Sequence, residues 1–260
     1  MRAIRITAHL LTGTLLLAGG AAQAALVNYT SSGVNLVYDQ DRNLTWVADA
    51  NLFRTQYVAD NSVVSKISTA VPTVAGHTIV VGDFATSTGV MTWWGATAWT
   101  QWLGSIGYGG ASDWRLPATP QPDATCGDQY DPGGGLPLQG YGYNCTGSDL
   151  GHLFYTEGQL TAGQSILADP PGILDNHFAN MQSSVYWSGT QFAPDPYFAW
   201  FFTDDGYQSR DDRGSQFYGW AVRPGQVAAA PLPATGLLMA LGLLALGATR
   251  HGRRATLVIW

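Results

Sequence analysis

The sequence predicts a loop-rich α+β fold, and three observations lead to this prediction. The 260 residues include 32 glycines, 13 prolines and 10 tryptophans, which is typical of many loops around rigid aromatic packing. Two helical patterns precede a late run of short aromatic strands that would pair as an antiparallel β-meander. An early strand pattern is left to pair with the others, so helices and strands are segregated along the chain as in α+β proteins.

The first predicted elements are two short strands at residues 36–38 and 44–47, which flank a polar segment. Within that segment Asp39, Asp41 and Asn43 imitate the start of an EF-hand calcium loop. The sixth position lacks glycine, however, and Ala50 stands where the twelfth position needs a bidentate glutamate. The segment is therefore predicted to be a hairpin turn.

Two helices are predicted in the middle of the chain. Thr92 is a candidate N-cap for a helix that runs to Leu103, because apolar residues recur there with a period of 3.6 and Gly104 follows as a stop. The second helix is predicted from Ser148 to Leu160. The segment 61–88, rich in valine, serine and threonine, is predicted to be an inserted hairpin or a mobile loop.

Four late strands complete the predicted architecture, at residues 185–187, 197–203, 207–209 and 218–222. Asp205-Gly206 lies between two aromatic-rich runs, and glycine supplies the positive φ that a tight hairpin turn needs. This pair predicts a hairpin that projects from the core.

The chain begins with the pattern of a cleavable secretory signal. Arg2 and Arg5 precede an apolar core at residues 10–17, and Ala22-Gln23-Ala24 fits the cleavage motif. The core is too short for a transmembrane helix. We therefore divide the chain into a signal peptide (1–24), an exported domain (25–226) and a C-terminal sorting segment (227–260).

The C-terminal segment has the three parts of a surface-sorting signal. A Pro/Gly motif, an uncharged stretch and the basic residues around Arg253 follow one another. The uncharged stretch can span a hydrocarbon core of about 30 Å, with the arginines on the cytoplasmic side. The motif consists of Pro231, Leu232, Pro233, Ala234, Thr235 and Gly236.

This tail resembles the PEP-CTERM class of sorting signals, in its Pro-Leu-Pro-Ala variant. The resemblance implies a transient membrane anchor and processing by an exosortase-type protease. Residues 232–236 also fit the L-P-x-T-G pattern that sortases cut, and an unprocessed single-span anchor is a third interpretation. Each interpretation places the domain outside the cytoplasm, at the cell surface or in the extracellular matrix.

The exported domain is strongly acidic. Five of the 12 basic residues lie in the terminal segments, so 7 basic residues face 18 acidic ones and the net charge is about −11. Such a charge repels phosphate backbones and anionic lipid surfaces. We expect no nucleic-acid partner, and a membrane partner only through the C-terminal segment.

The two cysteines, Cys126 and Cys145, lie inside the Gly/Pro-rich stretch from Gly107 to Cys145. An isolated pair in an exported protein is typical of a disulfide. A metal-binding or catalytic thiol has little support, because no C-x-x-C motif occurs and no histidine is close in sequence.

Several motifs occur in the order expected of the Lcl-type C-terminal domain family, and the chain resembles that family over nearly the whole exported domain. The most specific piece is Asp113-Trp114-Arg115-Leu116-Pro117. The other pieces are Asn43-Leu44-Thr45-Trp46, the Trp-rich helix after Thr92, Asp175-Asn176-His177-Phe178, Tyr186-Trp187-Ser188-Gly189-Thr190, Ala199-Trp200 and Trp220-Ala221-Val222-Arg223-Pro224-Gly225.

The resemblance implies a C-type-lectin-like fold, related to that of formylglycine-generating enzymes, and binding of sulfated polysaccharides. Two departures are visible: Gly189 replaces a serine of the family pattern, and the final motif has lost its cysteine. From the residues themselves, Arg115 is predicted to donate to loop carbonyls or to Asp113, and Arg223 to pair with an acid. Five indoles are expected in the core, because large aromatic side chains dominate small α+β cores: Trp46, Trp99, Trp102, Trp114 and Trp187.

A sugar site needs exposed rings and hydrogen-bonding carboxylates on one rim. The late hairpin offers both, and the predicted ligand-binding residues are Tyr197, Asp204, Asp205, Tyr207, Asp211 and Asp212. Their acidity favours a neutral polysaccharide, or one bridged by calcium. No cofactor is predicted, and a structural calcium ion at these aspartates stays an open alternative.

No catalytic constellation is present in the sequence. G-x-S-x-G, H-E-x-x-H and Gly-rich phosphate loops do not occur. His77, His152 and His177 lack a second ligand at i+3 or i+4, so each is interpreted as a surface or satisfied histidine. The chain is therefore predicted to be a non-enzymatic, lectin-like module that binds extracellular polysaccharide in adhesion or biofilm. The alternatives are a structural or protein-binding surface module and, less favoured, a secreted enzyme.

Overall fold

A computed structural model describes residues 26–168 and 172–227. The predicted signal peptide and the sorting motif lie outside these residues. The fold is a mixed α+β arrangement in which strands predominate, in agreement with the predicted class. None of the helices in the described residues is long and apolar enough to cross a membrane.

Fourteen strands occur in the described residues. They are β1 Leu26–Ser31, β2 Val34–Asp39, β3 Leu44–Val47, β4 Thr73–Val74, β5 His77–Thr78, β6 Phe84–Ala85, β7 Val90–Met91, β8 Asp128–Tyr130, β9 Gln139–Tyr141, β10 Val185–Gln191, β11 Phe198–Thr203, β12 Gln208–Asp212, β13 Phe217–Tyr218 and β14 Val222–Pro224.

Four α-helices accompany them, two more than predicted. They are α1 Leu52–Ala59, α2 Val63–Ala70, α3 Trp93–Ser105 and α4 Asp149–Gly151, and α4 continues into a π-helical turn at His152–Glu157. Short 3₁₀ turns lie at Val81–Asp83, Tyr108–Gly110 and Ile166–Ala168.

The first sheet has the order β1-β2-β3-β14 and is antiparallel throughout. It joins the two ends of the domain, because β14 hydrogen-bonds to β3. The hydroxyl of Tyr29 extends this closure: Val227 N donates to it at 3.2 Å, and it lies 3.0 Å from Thr45 Oγ1. Thr45 in turn donates to the carbonyl of Gly225 at 2.8 Å.

The second sheet has the order β12-β11-β10-β13-β7-β6. Strands β10, β11 and β12 form the predicted meander, whereas β13 lies parallel to β10. The predicted strand at 218–222 is therefore corrected: its first residue belongs to β13 in the second sheet and its last to β14 in the first. Trp220 and Ala221 make the crossing and are fully buried.

The predicted helix starts are confirmed by their caps. Thr92 Oγ1 accepts from Gly95 N at 3.1 Å, and Ser148 Oγ accepts from Gly151 N at 3.1 Å. The segment 61–88 is not one hairpin or loop; it holds α2, the small hairpin of β4 and β5, a 3₁₀ turn and β6. Both α1 and α2 were missed because their short sequences are rich in β-branched and polar residues.

The core is built from indoles, as predicted. Trp46, Trp99 and Trp187 have no exposed surface, and Trp102 and Trp114 are also buried. Trp46 meets Trp220 edge to face at 5.2 Å between ring centroids. Such pairs contribute about 0.5–1.5 kcal/mol beyond the burial of their area.

Candidate functional site

A groove of about 760 Å³ opens beside the first sheet. One wall is the β1–β2 hairpin, and the other is the segment 175–179, which carries the Asp-Asn-His-Phe motif. Backbone bonds fix this second wall: Ala50 N donates to Ala179 O at 2.9 Å, and Ala179 N donates to Ala48 O at 2.8 Å. The volume lies in the range typical of ligand pockets, about 300–1,000 Å³.

The two walls are joined by an amide and an imidazole. Asn28 Nδ2 donates to the carbonyl of Asn176 at 3.1 Å, and Asn28 Oδ1 lies 2.7 Å from His177 Nδ1. Because an amide oxygen only accepts, His177 carries its proton on Nδ1. Burial lowers the pKa of His177 below its usual value, so the ring is neutral at pH 7 and Nε2 keeps its lone pair as an acceptor.

Aromatic rings and a carboxylate complete the lining. Tyr29 and Tyr108 are half-buried in the groove, and Phe178 forms part of its floor. Burial, with the nearby charge of Asp49, raises the pKa of Tyr108 to about 12, so its hydroxyl stays protonated. Asp49 itself accepts from Asn51 N at 3.0 Å and from Thr55 Oγ1 at 2.6 Å.

A second hollow, of about 280 Å³, shares Thr55 with the groove. Arg54, Asn180 and Gln182 line this hollow, so it also offers polar side chains. Asn180, in the wall of the second hollow, donates through Nδ2 to Asp49 Oδ1, in the wall of the groove, at 3.0 Å. The two hollows are therefore neighbours.

The predicted ligand-binding residues of the late hairpin fall into two groups. Asp204, Asp205 and Tyr207 lie at its turn, where their side chains bind other loops. Asp204 Oδ2 accepts from Ser165 Oγ at 2.9 Å and from Ser183 Oγ at 2.7 Å. Asp204 therefore connects the loops that carry Ser165 and Ser183.

Asp205 and Tyr207 both contact Tyr143. Tyr143 donates its hydroxyl to Asp205 Oδ2 at 3.1 Å, and its ring meets that of Tyr207 edge to face at 5.1 Å. Asp205 also accepts from the hydroxyl of Thr203. The carboxylate of Asp205 raises the pKa of Tyr143.

Tyr197, Asp211 and Asp212 lie at the opposite end of the hairpin. The register pairs Phe198 with Asp212 and Phe202 with Gln208, so the two groups are separated by roughly 13 Å of strand. Tyr197 is 55% exposed. A hydrogen bond to Asp212 raises the pKa of the Tyr197 hydroxyl. The structure thus does not bring the six predicted residues onto one rim.

Cys126 and Cys145 form a disulfide, as predicted. Their sulfur atoms lie near the buried Asp123, whose carboxylate accepts from Gly147 N at 3.0 Å and from Thr125 N at 3.0 Å. Because both thiols are consumed in the bond, this cluster offers no thiolate to a metal. The disulfide and Asp123 together organise the long loop.

A second cluster was missed by the sequence analysis. Asp39 at the end of β2, His152 and Glu157 bring three ligand-type atoms within 4.8 Å of one another. His152 Nε2 lies 3.2 Å from Glu157 Oε1 and 3.8 Å from Asp39 Oδ2. Both carboxylates are buried and the imidazole is nearly so. A search for ligands at i+3 or i+4 could not find Glu157, which stands at i+5.

Asp39 is hydrogen-bonded to the backbone of the β2–β3 turn that follows it. Its Oδ1 accepts from Arg42 N at 2.9 Å, and Arg42 reaches across to the carbonyls of Thr146 and Ser148. The β2–β3 turn is thereby tied to the start of α4. Burial raises the pKa of Asp39, and the charge of Glu157 raises it further.

Comparisons with known proteins identify no relative: no family model matches the chain, and no curated protein or solved structure is significantly similar to it.

Proposed function

We propose that this chain is an exported, surface-sorted module with a C-type-lectin-like fold that binds extracellular polysaccharide in the groove between the β1–β2 hairpin and the segment 175–179. The export and sorting patterns at the two termini and the resemblance to the Lcl-type C-terminal domain family support its location and class. The groove supports its activity.

The chemistry of the groove carries the proposal. Sugar hydroxyls both donate and accept, and the groove offers the amides of Asn35 and Asn176, the lone pair of His177 Nε2 and the hydroxyl of Tyr108. Half-buried tyrosine rings supply the apolar surface against which a pyranose face packs. A mainly apolar ligand would leave these polar groups without partners.

The presence of a second hollow beside the groove favours a polymer over a single sugar. The hollow behind Thr55 adjoins the main groove and is also lined by amides. Two adjoining polar hollows accommodate consecutive units of a chain. The carboxylate of Asp49 at their junction, together with the acidity of the domain, favours a neutral polysaccharide over a sulfated one.

The test is a glycan-array measurement on the purified chain, followed by titration of the best ligand against variants. Asn35→Ala with Asn176→Ala removes one exposed amide from each wall. Because each hydrogen bond contributes about 0.5–1.5 kcal/mol, we expect affinity to fall about tenfold or more. Asn61→Ala, an exposed amide beside α2, is the matched control and should bind as the parent does.

A second comparison distinguishes the groove from the late hairpin. Tyr207→Ala with Asp205→Ala alters the hairpin turn, and Tyr197→Ala with Asp212→Asn alters its other end. Loss of binding in either pair, with normal binding in the groove variant, would move the site to the hairpin. Absence of glycan binding by the parent chain, with and without calcium, would favour a structural or protein-binding surface module.

A further inference from the structure

The donor atoms of Asp39, His152 and Glu157 have the spacing of a metal site. Ligand atoms bound at about 2.1 Å around a tetrahedral ion lie about 3.4 Å from one another. The observed separations from His152 Nε2 are 3.2 Å to Glu157 Oε1 and 3.8 Å to Asp39 Oδ2. Small side-chain shifts would bring all three atoms to bonding distance of one ion.

We propose that Asp39, His152 and Glu157 bind one divalent transition-metal ion, of which Zn²⁺ best suits the donor set. One imidazole nitrogen and two carboxylate oxygens are common zinc ligands, and water would take the fourth position. Ca²⁺ suits the set poorly, because it takes six to eight oxygen ligands. The side chain of His152 is 12% exposed, which gives an ion and its water access to the cluster.

The unpartnered oxygen of Asp39 points to a ligand independently of this spacing. Asp39 has no exposed surface, and its Oδ2 makes no hydrogen bond to any described residue. A buried carboxylate oxygen without a partner is costly, so native proteins nearly always supply one. This oxygen faces the imidazole, where a metal ion would bind it.

The local backbone brings the other two ligands onto one face. Residues five apart lie on different faces of an α-helix, whereas the i→i+5 bonding of a π-helix aligns them. Gly158 N donates to Leu153 O at 2.9 Å, which is such a bond. The π turn thus places His152 and Glu157 side by side, and π turns are frequent at functional sites.

An imidazolium ion between the two carboxylates is the competing arrangement. A proton on Nε2 can be donated to Glu157 at 3.2 Å, but Asp39 Oδ2 at 3.8 Å is beyond hydrogen-bond distance. That arrangement leaves the buried oxygen without a partner, whereas a metal ion binds both carboxylates. The guanidinium of Arg42, whose backbone N–H binds Asp39 Oδ1, donates from NH2 to the carbonyls of Thr146 and Ser148.

The test is a zinc titration of the purified full chain after treatment with a chelator. We expect one Zn²⁺ per chain and a higher melting temperature, because the ion binds the folded state. In Asp39→Asn and in Glu157→Gln the affinity for Zn²⁺ should fall by about 100-fold or more. Loss of a residue that only hydrogen-bonds to a metal ligand already costs about 10–100-fold in metal affinity. Asp41→Asn, an exposed aspartate in the same turn, is the matched control and should bind as the parent does.

A spectroscopic measurement on the parent chain keeps the proposal testable if the variants do not fold. X-ray absorption of the zinc-loaded chain should show nitrogen and oxygen ligands at about 2.0–2.2 Å, with the scattering pattern of a single imidazole. Absence of Zn²⁺ binding by the parent, two or more imidazole ligands, or unchanged affinity in both ligand variants would overturn the proposal and leave the imidazolium arrangement. Glycan binding is measured in a separate experiment, so a failure of the zinc proposal can be distinguished from a failure of the proposed glycan binding.

Discussion

At the scale of single residues, two ion pairs, Arg115–Asp149 and Arg223–Asp113, connect the Asp113–Pro117 segment to α4 and β14. Arg223 was expected to pair with an acid, and its guanidinium donates two hydrogen bonds to the carboxylate of Asp113, at 2.6 and 3.1 Å. Arg115 was expected to donate to loop carbonyls or to Asp113. It donates to the loop carbonyl of Leu116, as expected, and its acidic partner is Asp149 and not Asp113. The backbone bridge between Arg115 and Val222 explains this choice of acidic partners, because it places Asp113 beside Arg223.

The Asp113–Arg223 pair should stabilise the domain in a pH-dependent way. Arg223 lowers the pKa of Asp113, so its contribution is present above the unfolded pKa and is lost as pH falls through the folded one. We expect Asp113→Asn to lower the free energy of unfolding at pH 7 by no more than about 1 kcal/mol, because the carboxylate is 45% exposed. Urea unfolding at pH 7 and at pH 2–3 should show the difference shrinking at low pH. A difference that grows on acidification would contradict the assignment.

The cluster of Asp39, His152 and Glu157 could not be predicted from residue patterns. His152 was set aside because its neighbours at helical spacing are not ligands. Glu157 became its neighbour only through the π turn, and Asp39 only through the β2–β3 hairpin. A local widening of a helix leaves no simple signature in one sequence.

At the scale of elements, strong turn and cap signals located two helix starts and one hairpin turn. The predicted helix ends were wrong: α3 includes Gly104 and ends at Ser105, and the second helix ends at Glu157 before Leu160. Thr92, Ser148 and the Asp205-Gly206 turn lie where they were expected. The short helices α1 and α2 were not found, because eight-residue helices depend on tertiary packing more than on propensity. Ile67 of α2 is fully buried, which shows where that support comes from.

Gly206 should be the least replaceable residue of the late hairpin. Its φ is +91°, and an added Cβ would lie 2.6 Å from the Tyr155 hydroxyl, which donates to the Gly206 carbonyl. We expect Gly206→Ala to lower the free energy of unfolding by about 2–4 kcal/mol, from backbone strain and steric conflict together.

Gly133 provides the control for this prediction. It also has a positive φ, +70°, but an added Cβ would meet nothing within 4 Å. Gly133→Ala therefore measures the backbone term alone and should cost less. Equal losses in the two variants, measured by chemical denaturation, would show that the steric conflict with Tyr155 and Phe154 contributes nothing.

At the scale of the whole molecule, composition and strand order were enough for the class but not for the topology. Glycine and tryptophan content indicated loops around an aromatic core, and that core is present. The division of the late strands between two sheets was not predictable, because β13 and β14 are separated only by residues that look like a continuous strand. The groove, too, arises from segments that only the fold brings together.

The disulfide stabilises the molecule by restricting its unfolded chain. Cys126 and Cys145 are 19 residues apart, and closing a loop of that size contributes about 3 kcal/mol. Cys126→Ser with Cys145→Ser should therefore lower the midpoint of urea unfolding without abolishing glycan or zinc binding. Reduction of the parent chain should reproduce the loss, and a reducing agent should not affect the double variant. Two free thiols in the parent under non-reducing conditions would contradict the bond.

The closure of the first sheet has a mechanical consequence. The proposed groove is bounded by β1 and β2, and the described chain leaves the same sheet after β14, with Val227 bonded to Tyr29. If residues 228–260 hold the protein at a surface and a polymer pulls on the groove, part of the tension passes through these four strands. The β3–β14 bonds and the Asp113–Arg223 pair lie on this path. Fluid drag on a bound polymer would therefore pull on the strand pairs that join the two ends of the domain.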